Sequence, residues 1–83
     1  MSKQASTIRV QVQHGNGAEW DTTAEFNAGP RNLLRAMKQL RKEVNFPGRN
    51  SVGGYGFRVL VGDEVLPFYN YPENLEEARW VLA

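Results

Sequence analysis

Apolar and polar residues alternate from Thr7 to Gln13, with Ile8, Val10 and Val12 on one side and Arg9, Gln11 and Gln13 on the other. That period of two predicts a strand with one face covered and one face wet. His14-Gly15-Asn16-Gly17 follows, and its Asn-Gly pair suits the positive φ values of a tight hairpin turn. Trp20, Thr22, Ala24 and Phe26 then share one face of a predicted second strand.

The period changes at Asn27-Ala28-Gly29-Pro30. Asn can accept an orphan backbone N–H at a helix start, and Pro is tolerated in the first turn, where its missing donor costs nothing. Leu33, Leu34, Met37, Leu40 and Val44 fall at i, i+1, i+4, i+7 and i+11. This spacing predicts one amphipathic helix over residues 30–44 whose apolar stripe packs on the sheet. Pro47-Gly48 ends it, and residues 48–56 form a glycine-rich connection.

Two apolar, β-prone runs come next, residues 57–61 and 65–69, joined by Gly62-Asp63-Glu64 as a second hairpin. After Pro72 the pattern is ambiguous. Leu75, Ala78, Trp80 and Leu82 suit a last helix, whereas residues 78–82 suit a final strand, so both readings of 73–83 stay open. Helix is favoured, because Asn74-Leu75-Glu76-Glu77 places acidic residues at a helix N-terminus. The expected class is α+β. It is a small single domain of order ββαββ with a short terminal helix or strand, and one mostly antiparallel sheet packs on one amphipathic helix. Residues 1–6 are expected to be a disordered tail and residues 7–83 the domain. A chain of 83 residues buries only about 60% of its unfolded surface and has no room for two cores.

This order, with the rhythm of the stretch from Arg58 to Leu66, resembles the β-grasp layout of ubiquitin-like domains. The resemblance implies a hairpin, a crossover helix and a second hairpin in one mixed sheet. No terminal Gly-Gly accompanies it, so conjugation is not implied. A second, four-residue likeness lies at Gly54-Tyr55-Gly56-Phe57, which is similar to the centre of the RNP1 motif of RRM domains. Aromatics of that motif stack RNA bases on a sheet surface. Gly53 stands where the motif has a basic residue, Arg58 takes a usually apolar place, and the Ile8-Arg9-Val10 core has no aromatic for the companion motif.

Composition narrows the chemistry. There is no cysteine, which removes zinc fingers, redox motifs and cysteine nucleophiles, and fits a reducing cytoplasm. The apolar share is 41% and the charged share 23%, values of a globular chain. No run approaches the ~18 apolar residues of a membrane span, and the polar residues 1–7 lack the apolar centre of a secretory signal. A cytoplasmic location is therefore expected. His14 is the single imidazole; without a second ligand it makes no usual zinc site, and without an orienting partner no general base. Asp63 and Glu64 diverge on a turn. The glycine-rich connection has no Lys-Ser/Thr ending of a P-loop and precedes a strand. Neither catalytic residues, a metal nor a cofactor is expected.

Net charge is only +1, but its distribution is uneven. From residue 31 to 49 there are six basic residues, Arg31, Arg35, Lys38, Arg41, Lys42 and Arg49, against Glu43. From residue 63 to 77 there are five acidic residues and no basic one. Arg31, Arg35, Lys38 and Lys42 recur at i, i+4, i+7 and i+11, one helix face opposite the apolar stripe. That face meets either plain solvent, an acidic protein or nucleic-acid phosphates. Phe68, Tyr69, Tyr71 and Trp80 cluster late in the chain, and Tyr, Trp and Arg dominate interface energetics. Trp20, Phe26, Phe57 and Trp80 are assigned to the core, with Tyr69 and Tyr71, or Tyr55, at the surface.

The functional expectation is a non-enzymatic protein-interaction module, of the kind that small phage-type inhibitors or adaptors represent, occupying a site on a larger protein or complex. Its candidate contacts are Arg31, Arg35, Lys38, Lys42, Arg49, Tyr55, Tyr69 and Tyr71. The alternative is a nucleic-acid-binding domain using the basic helix 30–44 and the loop 48–56, with Tyr55 stacking on a base. No membrane partner is expected, and an open sheet edge leaves a homodimer open.

Overall fold

The computed structural model describes residues 7–15, 17–46 and 55–83. The expected tail 1–6, Asn16 of the first turn, Arg49 and most of the glycine-rich connection lie outside the described residues. Strand β1 (Thr7–His14) and strand β2 (Trp20–Asn27) form the first hairpin, closed by an Ala18 N–H donating to the Gly15 carbonyl at 3.1 Å. Helix α1 (Pro30–Val44) leads to β3 (Tyr55–Val61) and the two-residue strand β4 (Glu64–Val65). A 3₁₀ turn (Phe68–Asn70) and helix α2 (Leu75–Leu82) complete the order.

The strands make one antiparallel sheet in the order β2-β1-β3-β4. β2 and β3 run in the same direction with β1 between them, and α1 carries the chain from one side of β1 to the other. The α+β class is as the hydrophobic pattern implies. The sheet departs from the mixed sheet of the β-grasp layout, because every ladder among the described residues is antiparallel.

One face of the sheet carries Ile8, Val10 and Val12 of β1, all fully buried. Val61, Val59 and Phe57 are their partners on β3, and Phe26 and Ala24 face Ile8 and Val10 from β2. Leu33, Ala36, Met37 and Leu40 of α1 are buried in the same core, with Leu66 and Ala78. Each large side chain so removed from water contributes roughly 1.5–3 kcal/mol. Leu34 and Val44 pack at its margin. Pro30 stands in the first turn as expected, but Asn27 does not cap the helix: the Leu33 N–H donates to the Gly29 carbonyl, and no side chain caps this end.

A bulge in β2 revises the second-strand expectation. Val10 pairs with Ala24 and Gln11 pairs with Thr22, so Thr23 is extra, and its hydroxyl donates to the Val10 carbonyl at 3.3 Å. One inserted residue reverses the faces beyond it. Ala24 and Phe26 therefore face α1, whereas Thr22 and Trp20 face the opposite side with Gln11 and Gln13. Trp20 is thus not a core residue. Its ring crosses the sheet to lie over Gly56, where a Cβ would stand 2.9 Å from the indole, and the Arg58 guanidinium sits 4.1 Å from the ring centroid. Arg58 Nε donates to Gln11 Oε1 at 2.8 Å, and Gln11 Nε2 donates to Thr22 Oγ1 at 3.0 Å. These side chains roof Gln11, which is only 7% exposed although no helix among the described residues covers that face.

The second hairpin is shorter than its apolar run. β3 turns through Gly62 at φ +64°, the first central position of a two-residue turn, a backbone state that a Cβ disfavours. β4 then ends at Val65. Pro67 has no N–H to give a ladder, and the chain leaves the sheet into the 3₁₀ turn. The last element is a helix. Asn74 Oδ1 accepts from the Glu77 N–H at 2.9 Å, and Glu77 Oε1 accepts from the Glu73 N–H at 2.8 Å, a reciprocal capping arrangement.

Candidate functional site

Two surfaces on different elements carry the expected contact residues other than Tyr55 and Arg49. On α1, Arg31, Arg35, Lys38, Arg41 and Lys42 are all exposed. At 1.5 Å of rise per residue, the stripe from Arg31 to Lys42 spans about 16 Å. Arg35 donates to the Asn32 side chain at 2.9 Å. Among the described residues, an ion pair joins Arg9 with Asp63, His14 lies beside Asp21, and no ion pair involves the α1 cations. Glu43 of the same helix accepts from Gln39 at 2.7 Å.

The second surface is built from the 3₁₀ turn and α2. Phe68, Tyr69 and Trp80 are 77%, 75% and 78% exposed. Phe68 and Tyr69 stack edge to face at 5.6 Å. The 3₁₀ geometry is what turns both rings outward, since Leu66 enters the core just before it and Tyr71 packs against the core just after. On α2, Ala78, Val81 and Leu82 pack in or against the core, and Leu75 falls on the same stripe at i, with Ala78 at i+3 and Leu82 at i+7, which leaves Glu76 and Trp80, one turn apart, exposed. Trp80 is accordingly a surface residue and not part of the core. Between the two elements lies a shallow groove of about 520 Å³, walled by Tyr69, Tyr71, Trp80 and Val81, with Glu76 and Glu77 at its rim.

Tyr71 occupies an intermediate place. It is half-buried, and its phenol is raised above the ordinary 10.0 by desolvation, so it stays neutral and contributes a wall more than a projecting contact. Tyr55 is not a loop residue. It opens β3 on the α1 side of the sheet, half-buried, with its ring edge-on to His14 at 5.4 Å. Phe57 is on the same side, so the RNP1-like stretch shows Gly56 and Arg58, not aromatics, to the open face. His14 Nε2 lies 3.5 Å from an Asp21 carboxylate oxygen at the end of β1, with both side chains substantially exposed.

Phe68, Trp80, Glu76 and Glu77 were not among the candidate contacts. The spacing of Leu75, Ala78 and Leu82 held the signal for Trp80, because a stripe at i, i+3 and i+7 places a residue at i+5 on the far side of the helix. Among the described residues, no group of three His, Cys, Asp or Glu side chains converges as a metal site, and no helix is long and apolar enough to cross a membrane. Set against family models, curated proteins and solved structures, the chain matches none.

Proposed function

We propose that this chain is a protein-interaction module with no catalytic role, an adaptor or inhibitor that docks on a larger partner through Phe68, Tyr69 and Trp80. The observation that carries this reading is the exposure of those three rings on adjoining elements. An aromatic side chain presents 150–250 Å², so three-quarters exposure of three leaves roughly 350–550 Å² of aromatic surface in water. Patches of that size on small monomers are commonly functional. Aromatic anchors with a polar rim are also the usual centre of an interface.

The test is differential affinity capture from lysate of the cells that carry the protein, comparing wild type, a Phe68→Ser/Tyr69→Ser/Trp80→Ser variant and an Arg35→Glu/Lys38→Glu variant. A partner retained by the wild type and the charge-reversed variant, and lost by the aromatic variant, supports the reading. Equal capture by the aromatic variant removes it.

A second reading, nucleic-acid binding through α1, is favoured by five exposed cations with no ion-pair partner among the described residues. Fluorescence polarisation of labelled single-stranded RNA and duplex DNA would then show affinity falling with salt, with a log–log slope of about −0.9 per duplex phosphate contacted and about −0.7 for single strands. No binding at low salt excludes it.

A further inference from the structure

Resting on the docking reading above, we propose that the groove between the 3₁₀ turn and α2 receives an arginine-bearing, extended segment of the partner protein. A guanidinium would lie against the Trp80 and Tyr69 rings, with Glu76 as its counter-charge.

Charge complementarity is the first argument. The groove is lined by Tyr69, Asn70, Tyr71, Pro72, Asn74, Glu76, Glu77, Trp80 and Val81, so it has two carboxylates and no cation. Glu73, between the lining residues Pro72 and Asn74, adds a third carboxylate, and their summed field favours a positive ligand. Arg79, the one basic residue of α2, is outside the lining. Glu76 is also available to a ligand. Glu77 holds the Glu73 N–H and Asn74 holds the Glu77 N–H, whereas Glu76 makes no hydrogen bond or ion pair among the described residues.

Geometry then selects the cation. Glu76 and Trp80 are one helical turn apart and both exposed on α2, which makes the carboxylate and the indole neighbours on its surface. An arginine satisfies both at once, because its planar guanidinium stacks on an aromatic ring while its edge donates to a carboxylate; a lysine ammonium is a point charge with a stronger hold on water. The chain already contains such a pair, Arg58 over Trp20 with its Nε donating to Gln11. The groove volume, about 520 Å³, suits one or two side chains of an extended segment more than a packed helix. A second copy offering its α1 cations is the competing occupant. That contact would be either reciprocal, closing a two-fold dimer, or head to tail, growing into rings or open chains, and both would appear as concentration-dependent self-association.

The experiment is a two-dimensional NMR titration of the intact protein with three capped peptides of equal length, Gly-Arg, Gly-Lys and Gly-Glu repeats, at low and near-physiological salt. The Trp20 indole, on the far face of the sheet, serves as internal control. The expected result is saturable shifts of the Trp80 indole and the Glu76 and Glu77 amides with the arginine peptide, at a Kd below about 1 mM. Lysine should bind several-fold more weakly, glutamate should cause no shift, and Trp20 should be still. Glu76→Gln, an exposed change, should weaken arginine binding several-fold, and Trp80→Ala should abolish it.

Equal response to the arginine and glutamate peptides, or non-saturating shifts spread evenly over the acidic stretch, overturns the proposal. Concentration-dependent self-association in ultracentrifugation, relieved equally by Trp80→Ala and by Arg35→Glu/Lys38→Glu, also overturns it and identifies the second copy as occupant. If the arginine peptide fails while partner capture still depends on Phe68, Tyr69 and Trp80, the occupant is wrong and the docking surface stands. If both fail, the docking reading goes too.

Discussion

Asn74→Ala tests whether the candidate site depends on one local hydrogen bond. Helix α2 has eight residues, short of the roughly 12–15 that an isolated helix needs to be even marginal in water. Two things hold it: burial of Ala78, with Leu75, Val81 and Leu82 partly covered, and the cap at its start. Alanine at 74 removes the 2.9 Å bond to the Glu77 N–H and leaves the bond from the Glu73 N–H to the Glu77 carboxylate as the remaining side-chain cap. Losing such a cap costs about 1 kcal/mol, within a range of roughly 0.5–2.

A domain of this length has a total stability of roughly 4–12 kcal/mol, so the loss is appreciable, and it corresponds to a fall in Tm of about 4–8 °C by circular dichroism. The effect should be uneven. Hydrogen exchange should quicken most at the amides of residues 76–80, while those of β1 and α1 quicken only as far as global stability falls. Asn74→Ser, which keeps an acceptor, should recover most of the loss. Because Trp80 and Glu76 ride on α2, ligand affinity at the groove should drop in step with the fraction of α2 that is frayed. A Tm within about 2 °C of wild type, or unchanged exchange in α2, would show instead that packing alone holds the helix.

Three further outcomes follow from the structure. Tyr71 is desolvated, so its folded pKa lies above its unfolded value; its stabilising effect is complete below pH 10.0 and is lost as pH rises through the folded value, and Tyr71→Phe should flatten this alkaline slope in urea melts taken across pH 9–11.5. Gly62→Ala forces a Cβ into a turn at φ +64° and should destabilise by about 1–2 kcal/mol, read as a lower urea midpoint with an unchanged m-value. Arg35→Glu/Lys38→Glu, at exposed positions of α1, should stay within about 0.5 kcal/mol per substitution of wild-type stability, so that any loss of binding in that variant reports the surface and not the fold.

Helix α1 was legible to its last residue because its evidence is local and redundant: a proline start, five apolar positions in one stripe and a cationic face opposite. β1 was legible for the same reason, a clean alternation over seven residues. The acidic opening of α2 favoured a helix correctly. Less was legible at the fourth strand, where the apolar run 65–69 outweighed Pro67, although a residue with no N–H is the stronger physical statement inside a ladder. The candidate site was half legible. The α1 cations and Tyr69 were found from the pattern, while Trp80 and Phe68 were not, because large aromatics are ordinarily buried in a small domain and that expectation masked the phase of the α2 stripe.

Residue order alone carries the elements whose periodicity is uninterrupted, the antiparallel α+β class and the separation of basic from acidic residues along the chain. Tertiary structure alone decided which way Trp20 faces, where the sheet stops and which aromatics reach solvent. The reason is that periodicity reports a side chain's phase within its own element, whereas a bulge at Thr23 or the draw of Leu66 into the core is set by the partner strand and by the space that remains. One residue of offset moves every later side chain to the other face, and nothing in the offset strand's own pattern encodes it.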